Sequence, residues 1–134
     1  MKKFTIIILA LFLSTIALGQ TKPPGKSSGI VIDFDSDSIA FVAAKNLIIS
    51  SGFAIHSADK ELGFINTQEK QNLQLLFTVA NSSLIVRGRY KTAAGLPLQI
   101  TYFDACWCLF SEGKKYFKRM IKIVEAEGYK VKFI

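Results

Sequence analysis

One uninterrupted stretch, residues 36–67, constrains the fold of this chain more than any other. Between Ser36 and Gly52 the apolar residues recur at helical spacing over a broad arc, which predicts a helix packed against a sheet. Gly52 ends this helix, because glycine adopts the left-handed conformation at little steric cost. The period then changes to two, which predicts two strands joined by a turn at residues 59–63. The stretch therefore predicts a helix that covers an antiparallel hairpin.

Alternating apolar residues recur along the rest of the chain and predict further strands. These strands cover residues 29–34, 73–80, 84–91, 96–103 and 129–134. A second helix is expected from Ser111 to Gly128, with a buried stripe of Phe117, Met120, Ile121 and Val124. The chain is thus expected to be α+β, with two layers. A mainly antiparallel sheet of five to seven strands carries two helices on one face and leaves the other face in water.

The first 19 residues are typical of a secretory signal peptide. Lys2 and Lys3 precede an apolar run at residues 6–13, and Ala17-Leu18-Gly19 matches a small-x-small cleavage pattern. The run is shorter than the roughly 20 residues of a membrane span, so a retained anchor is the less favoured alternative. We expect a periplasmic or secreted protein, cleaved near Gly19-Gln20, without a transmembrane segment in the mature chain.

The expected mature chain has one tether and one domain. Residues 20–28 contain two prolines, a glycine and no apolar residue, which predicts a flexible tether. Residues 29–134 are long enough for one hydrophobic core and too short for two. They are therefore expected to form a single α+β domain.

The charge of the chain is uneven. The formal net charge is +7, and residues 70–134 alone carry eleven basic and four acidic side chains. A basic surface of this kind indicates either an anionic partner or simple solubility. Nucleic acid is a poor partner for an exported chain, which leaves an envelope protein or an anionic ligand.

The main candidate binding residues are an alternating basic row on a predicted strand. Arg87, Arg89 and Lys91 fall on one face of the sheet, where guanidinium groups can hold a carboxylate, phosphate or sulfate. His56 is expected on the same face and is the fourth candidate. The alternative is structural, since a wet sheet face needs polar residues and basic ones prevent edge pairing.

Cys106 and Cys108 are candidate reactive thiols. Export permits a disulfide, but two cysteines two residues apart join only in a strained ring. Two buried thiols beside Trp107 are the structural alternative. A thiol-dependent enzyme is therefore retained as an alternative function.

We find no catalytic, metal or cofactor motif in the sequence. His56 is the sole histidine, which excludes schemes that need two. Asp33, Asp35 and Asp37 lack the glycine and glutamate of a calcium loop, and capping explains them better. Serine-hydrolase and phosphate-loop motifs are missing as well. The sequence thus predicts a non-enzymatic binding or envelope-assembly module without a cofactor.

The segment FVAAKNLIISSGF and the hairpin pattern D-x-x-x-G-x-I-x-T carry a family resemblance. With the signal peptide and the later basic helix, the chain resembles small exported bacterial domains of unknown function with a TATA-binding-protein-like fold. The likeness covers most of residues 30–131. It implies a helix on a curved antiparallel sheet and an envelope-associated binding role. Residues 106–108 (CWC) depart from the pattern and leave the start of the last helix open.

Overall fold

A computed structural model describes residues 26–103 and 111–134 of the chain. Two helices lie in these ranges, α1 (Asp37–Ser50) and α2 (Ser111–Ala126). The strands are β1 (Lys26–Ser27), β2 (Ile30–Asp33), β3 (Ile55–Asp59), β4 (Phe64–Thr67), β5 (Leu73–Ala80), β6 (Ser83–Lys91), β7 (Pro97–Gln99), β8 (Tyr102–Phe103) and β9 (Lys132–Phe133).

Seven of these strands form one antiparallel sheet. Six follow the order β3-β4-β5-β6-β2-β9, and β7 also pairs with β6. Ile30 of β2 pairs with Val86 in the first half of β6, whereas Gln99 of β7 pairs with Arg89 in the second half. Strands β2 and β7 therefore share one edge of β6. Strands β1 and β8 form a separate two-stranded sheet.

Both helices pack on the same face of the large sheet. Helix α1 contacts β4, β5 and β6, and α2 contacts β6 and β8. The core comprises alternate strand residues together with the apolar stripes of both helices, including Phe117 and Met120. The predicted two-layer α+β architecture, with five to seven strands and two helices on one face, is confirmed.

Helix α1 ends at the predicted glycine, and of the two possible N-cap residues, Asp35 and Ser36, the structure uses Ser36. The Ser36 side chain accepts a hydrogen bond from the Ile39 amide at 3.3 Å. At the other end, Gly52 has φ +76° and the Phe53 amide donates to the Ile48 carbonyl at 3.0 Å. This is a Schellman closure, and it buries Phe53 beside the helix.

Strand β3 departs from simple alternation. Ile55 pairs with Thr67 but Ser57 pairs with Asn66, so the register shifts between the two pairs. The pairing places Ser57 on the face away from the helices, whereas strict alternation from Phe53 would place it on the core face. A bulge adds one residue to one strand only, and the local period carries no signal of it.

Residues 96–103 form two short strands instead of the single predicted one. Strand β7 pairs with β6 and β8 pairs with β1. Between them Ile100 is fully buried, and its amide donates to the Gly88 carbonyl at 2.9 Å. At Ile100 the chain therefore passes from the large sheet, where β7 lies, to the small sheet, where β8 lies.

Strand β1 lies within the segment that composition assigns to the tether. Ser27 pairs with Tyr102 and is only 1% exposed. Pairing with a strand distant in sequence brings Lys26 and Ser27 into the fold, although their own composition favours a loop. The rest of the predicted signal peptide and tether, residues 1–25, lies outside the described residues.

Candidate functional site

The candidate site is the sheet face that the helices leave uncovered in the described part of the chain. We call it the open face. Val31, Ile85 and Phe64 align across it in one cross-strand row with Thr78, and Leu76 lies in the next row. The four apolar side chains, Val31, Phe64, Leu76 and Ile85, are half-buried and form what we call the apolar belt.

The basic row of β6 lies beside the apolar belt. Arg87, Arg89 and Lys91 alternate with residues that are buried under the helices, so their side chains project from the open face. Lys91 Nζ forms an ion pair with Glu69 Oε2 at 2.8 Å. Across the described residues, neither Arg87 nor Arg89 forms an ion pair. Two guanidinium groups of the row are therefore available to an anion.

The side chain of Arg87 packs closely against the backbone of Gly29. A Cβ placed on Gly29 would lie 3.2 Å from the Arg87 Cγ and 3.2 Å from side-chain carbons of Ile134. The aliphatic stem of Arg87 thus lies against the Gly29 backbone. Arg89 is exposed and pairs across the sheet with Gln74 on one side and Gln99 on the other.

A second pair of charges on the open face is already neutralised. Lys132 Nζ contacts Asp33 Oδ2, and the Ser83 hydroxyl donates to Asp33 Oδ1 at 2.9 Å. The hydrogen bond from Lys132, followed by that from Ser83, lowers the pKa of the Asp33 carboxyl below its ordinary value. This carboxylate is engaged with Lys132 and is not a partner of the arginines.

His56 does not join the basic row. It lies on the outer strand β3, and β4 and β5 separate it from β6. At a strand spacing of about 4.8 Å, this separation is about 14 Å, beyond the reach of one small anion. The sequence placed His56 on the same face but gave no strand order, so its distance from the arginines was not predicted.

The remaining candidates concern thiols, metals and membranes. Cys106 and Cys108 lie outside the described residues. Within residues 26–103 and 111–134, no three His, Cys, Asp or Glu side chains are grouped closely enough to hold a metal ion. No helix in these ranges has both the length and the apolar character that crossing a bilayer requires.

No family model, curated protein or solved structure matches the chain. The resemblance to exported domains with a TATA-binding-protein-like fold therefore stays a prediction.

The structure also joins residues that have no local signal for proximity. Lys70 Nζ donates to the Ser51 carbonyl at 3.1 Å and lies 5.6 Å from the centre of the Phe53 ring. Arg119 Nη1 donates to the Gln71 carbonyl at 3.3 Å. A cation near a helix C-terminus is favourable, but Lys70 follows Ser51 by 19 residues, so helix-end patterns do not reveal it.

Proposed function

We propose that this chain is an exported, non-enzymatic binding module whose open face takes the acidic surface of an envelope protein. The observation that carries the proposal is the pair Arg87 and Arg89, two unpaired guanidinium groups on one face of one strand in the described structure. Guanidinium groups bind carboxylates through two parallel hydrogen bonds. Asp and Glu side chains of a partner would supply the missing charge.

The apolar belt favours a protein as the partner. Phe64, Leu76 and Ile85 are half-buried on a face that also carries polar side chains such as Asn66 and Thr78. Protein interfaces combine an apolar centre with a charged and polar rim, and arginine is enriched in them. Export is supported by the pattern of residues 1–19.

Poly-L-glutamate is a defined probe for the proposed acidic partner. We expect it to bind the full chain at low salt and to weaken steeply as salt rises, because exposed charges are screened. Arg89→Gln should weaken binding about tenfold, the value of one charge-assisted hydrogen bond. Lys91→Gln removes the same charge from the same row but from an existing ion pair, so it should change affinity less than about twofold. Calorimetric titration measures both variants.

Several outcomes would count against this proposal. Equal weakening by the two variants, or binding that does not depend on salt, would show that the arginine pair is not the site. If the protein turned over a substrate, and if replacing Arg87 or His56 abolished that turnover, the protein would be an enzyme.

A second candidate function uses the same arginine pair for an anionic small molecule or glycan. This function is favoured if heparin or a simple dicarboxylate binds the unmodified chain, if Arg89→Gln abolishes that binding, and if poly-L-glutamate does not bind. The thiol-dependent enzyme requires Cys106 or Cys108. Rapid alkylation of the native protein at neutral pH would support it, and labelling only after unfolding would reject it.

A further inference from the structure

A second cationic surface lies on the helix side of the molecule. A groove of about 650 Å³ runs between α2 and the turn that precedes β5. Its volume lies in the range of small-molecule binding sites. The lining residues are Gln71, Lys114, Lys115, Tyr116, Lys118, Arg119 and Lys122. The open face is on the other side of the sheet, so the two surfaces are separate.

The charge along this groove is unfavourable for an isolated helix. Lys115, Lys118 and Lys122 are exposed, and none of them forms an ion pair in the described part of the chain. The spacing of Lys118 and Lys122, like that of Lys115 and Arg119, is four residues, at which like charges destabilise a helix. A helix face that is only solvated would be more stable with acidic side chains between the basic ones. No acidic residue lies between Glu112 and Glu125.

One wall of the groove belongs to the sheet. Gln71 and Asn72 have φ values of +51° and +63°, and their tight turn presents the Gln71 carbonyl to Arg119 Nη1 at 3.3 Å. The lining also includes Tyr116, whose ring stacks on that of Tyr90 with centroids 5.0 Å apart. Arg119 is thus oriented by a hydrogen bond to the Gln71 carbonyl, while Lys115, Lys118 and Lys122 are exposed around it.

We propose that this groove binds an anion that carries two or more phosphate groups. Arg119 offers a planar donor group to one phosphate, and Lys115, Lys118 and Lys122 offer point charges to the next. Phosphate of this kind occurs in free polyphosphorylated molecules and in phospholipid head groups. The apolar side chains of α2, such as Phe117 and Met120, are buried in the core and are not available for insertion into a bilayer. The free molecule is therefore the favoured source.

Tripolyphosphate and vesicles test the two sources with the full chain. We expect tripolyphosphate to bind at low salt, with affinity reduced at least about tenfold in Lys118→Glu. Lys60→Glu makes the same charge change at the exposed turn between β3 and β4, outside the groove lining, and should leave affinity unchanged. The thermal midpoint of Lys118→Glu should equal or exceed that of the unmodified chain, because the substitution relieves repulsion. Lost binding would then not reflect misfolding.

Binding to phosphatidylglycerol vesicles but not to tripolyphosphate, with the same loss in Lys118→Glu, would identify the source as lipid head groups. Absence of binding to both probes would overturn the inference, as would equal binding by Lys118→Glu. Arg89→Gln is expected to leave tripolyphosphate binding unchanged. This result separates the groove from the function proposed for the open face, and either proposal can fail alone.

Discussion

Among single residues, two glycines allow close packing: Gly29 beside Arg87 on the open face, and Gly88 beside α2 in the core. The missing side chain of Gly29 leaves space for the stem of Arg87 on the open face. On the core side, a Cβ on Gly88 would lie 2.6 Å from Ile100 Cδ1 and 2.8 Å from Met120 Sδ. Gly88 therefore lets α2 approach the sheet closely. In the sequence, Gly88 is only a break in a strand pattern.

Replacing Gly63 by alanine tests a close backbone contact. Gly63 has φ +71°, and its Cβ would lie 2.5 Å from the carbonyl oxygen of Val79 in β5. Gly95 has φ +80° but has open space around it, so Gly95→Ala should cost only about 1–2 kcal/mol for the backbone conformation. We expect Gly63→Ala to cost at least about 1 kcal/mol more, because a backbone must move. Urea unfolding of both variants measures the difference, and equal losses would contradict it.

At the scale of elements, helix periodicity correctly predicted which face of α2 is buried. Phe117, Met120, Ile121 and Val124 all lie in the core. The same reasoning is less accurate for α1, because the broad apolar arc between Ser36 and Gly52 includes Ile39, a residue that is 49% exposed. Periodicity predicts the direction of an apolar face, but the width of the covered part depends on the neighbouring elements.

The packing of α2 on β6 predicts a pH effect at Tyr90. Burial, then the negative charge of Glu112 and the neighbouring Tyr116, raise the pKa of the Tyr90 phenol. The folded state therefore favours the neutral phenol. This contribution to stability is complete below the ordinary tyrosine pKa of about 10 and is lost as pH rises through the raised value.

Tyr90→Phe removes the titrating group and keeps the ring. Between pH 8 and pH 11, the free energy of unfolding should fall further for the unmodified chain than for the variant, as measured with urea. These pH values bracket the tyrosine pKa of about 10. The same fall in both proteins would show that Tyr90 titrates alike in the folded and unfolded states.

At the scale of the whole molecule, an aromatic cluster joins elements that are far apart in sequence. The Phe117 ring of α2 lies 5.7 Å from Tyr102 of β8 and 6.1 Å from Phe133 of β9, between ring centroids. Strand β8 belongs to the small sheet and β9 to the large one. The cluster thus connects both sheets through α2.

Phe117→Ala should therefore weaken the entire fold. Phe117 is fully buried, and a truncation of this kind costs about 3–5 kcal/mol. Val42→Ala is a matched control on α1, where the side chain is 56% exposed, and it should change stability by less than about 0.5 kcal/mol. Chemical denaturation followed by far-ultraviolet circular dichroism compares them. A loss of less than about 1 kcal/mol in Phe117→Ala would show that the cluster does not join the elements energetically.

The candidate site was predicted in part. Alternation correctly placed Arg87, Arg89 and Lys91 on one face, because side-chain direction in a strand follows a period of two. It did not predict that Glu69 neutralises Lys91, nor that His56 lies three strands away from β6. Both depend on which strands become neighbours. Whether the row binds a ligand stays a prediction.

Local sequence patterns predict the class of fold, the end of α1 at Gly52 and the buried face of α2. These features are local, because periodicity and turn chemistry act within a few residues. Tertiary contacts set the strand order, the bulge beside His56, the division of residues 96–103 between two sheets and the hydrogen bond from Arg119 to Gln71. Such contacts join distant segments, and their energy depends on partners that no local pattern specifies.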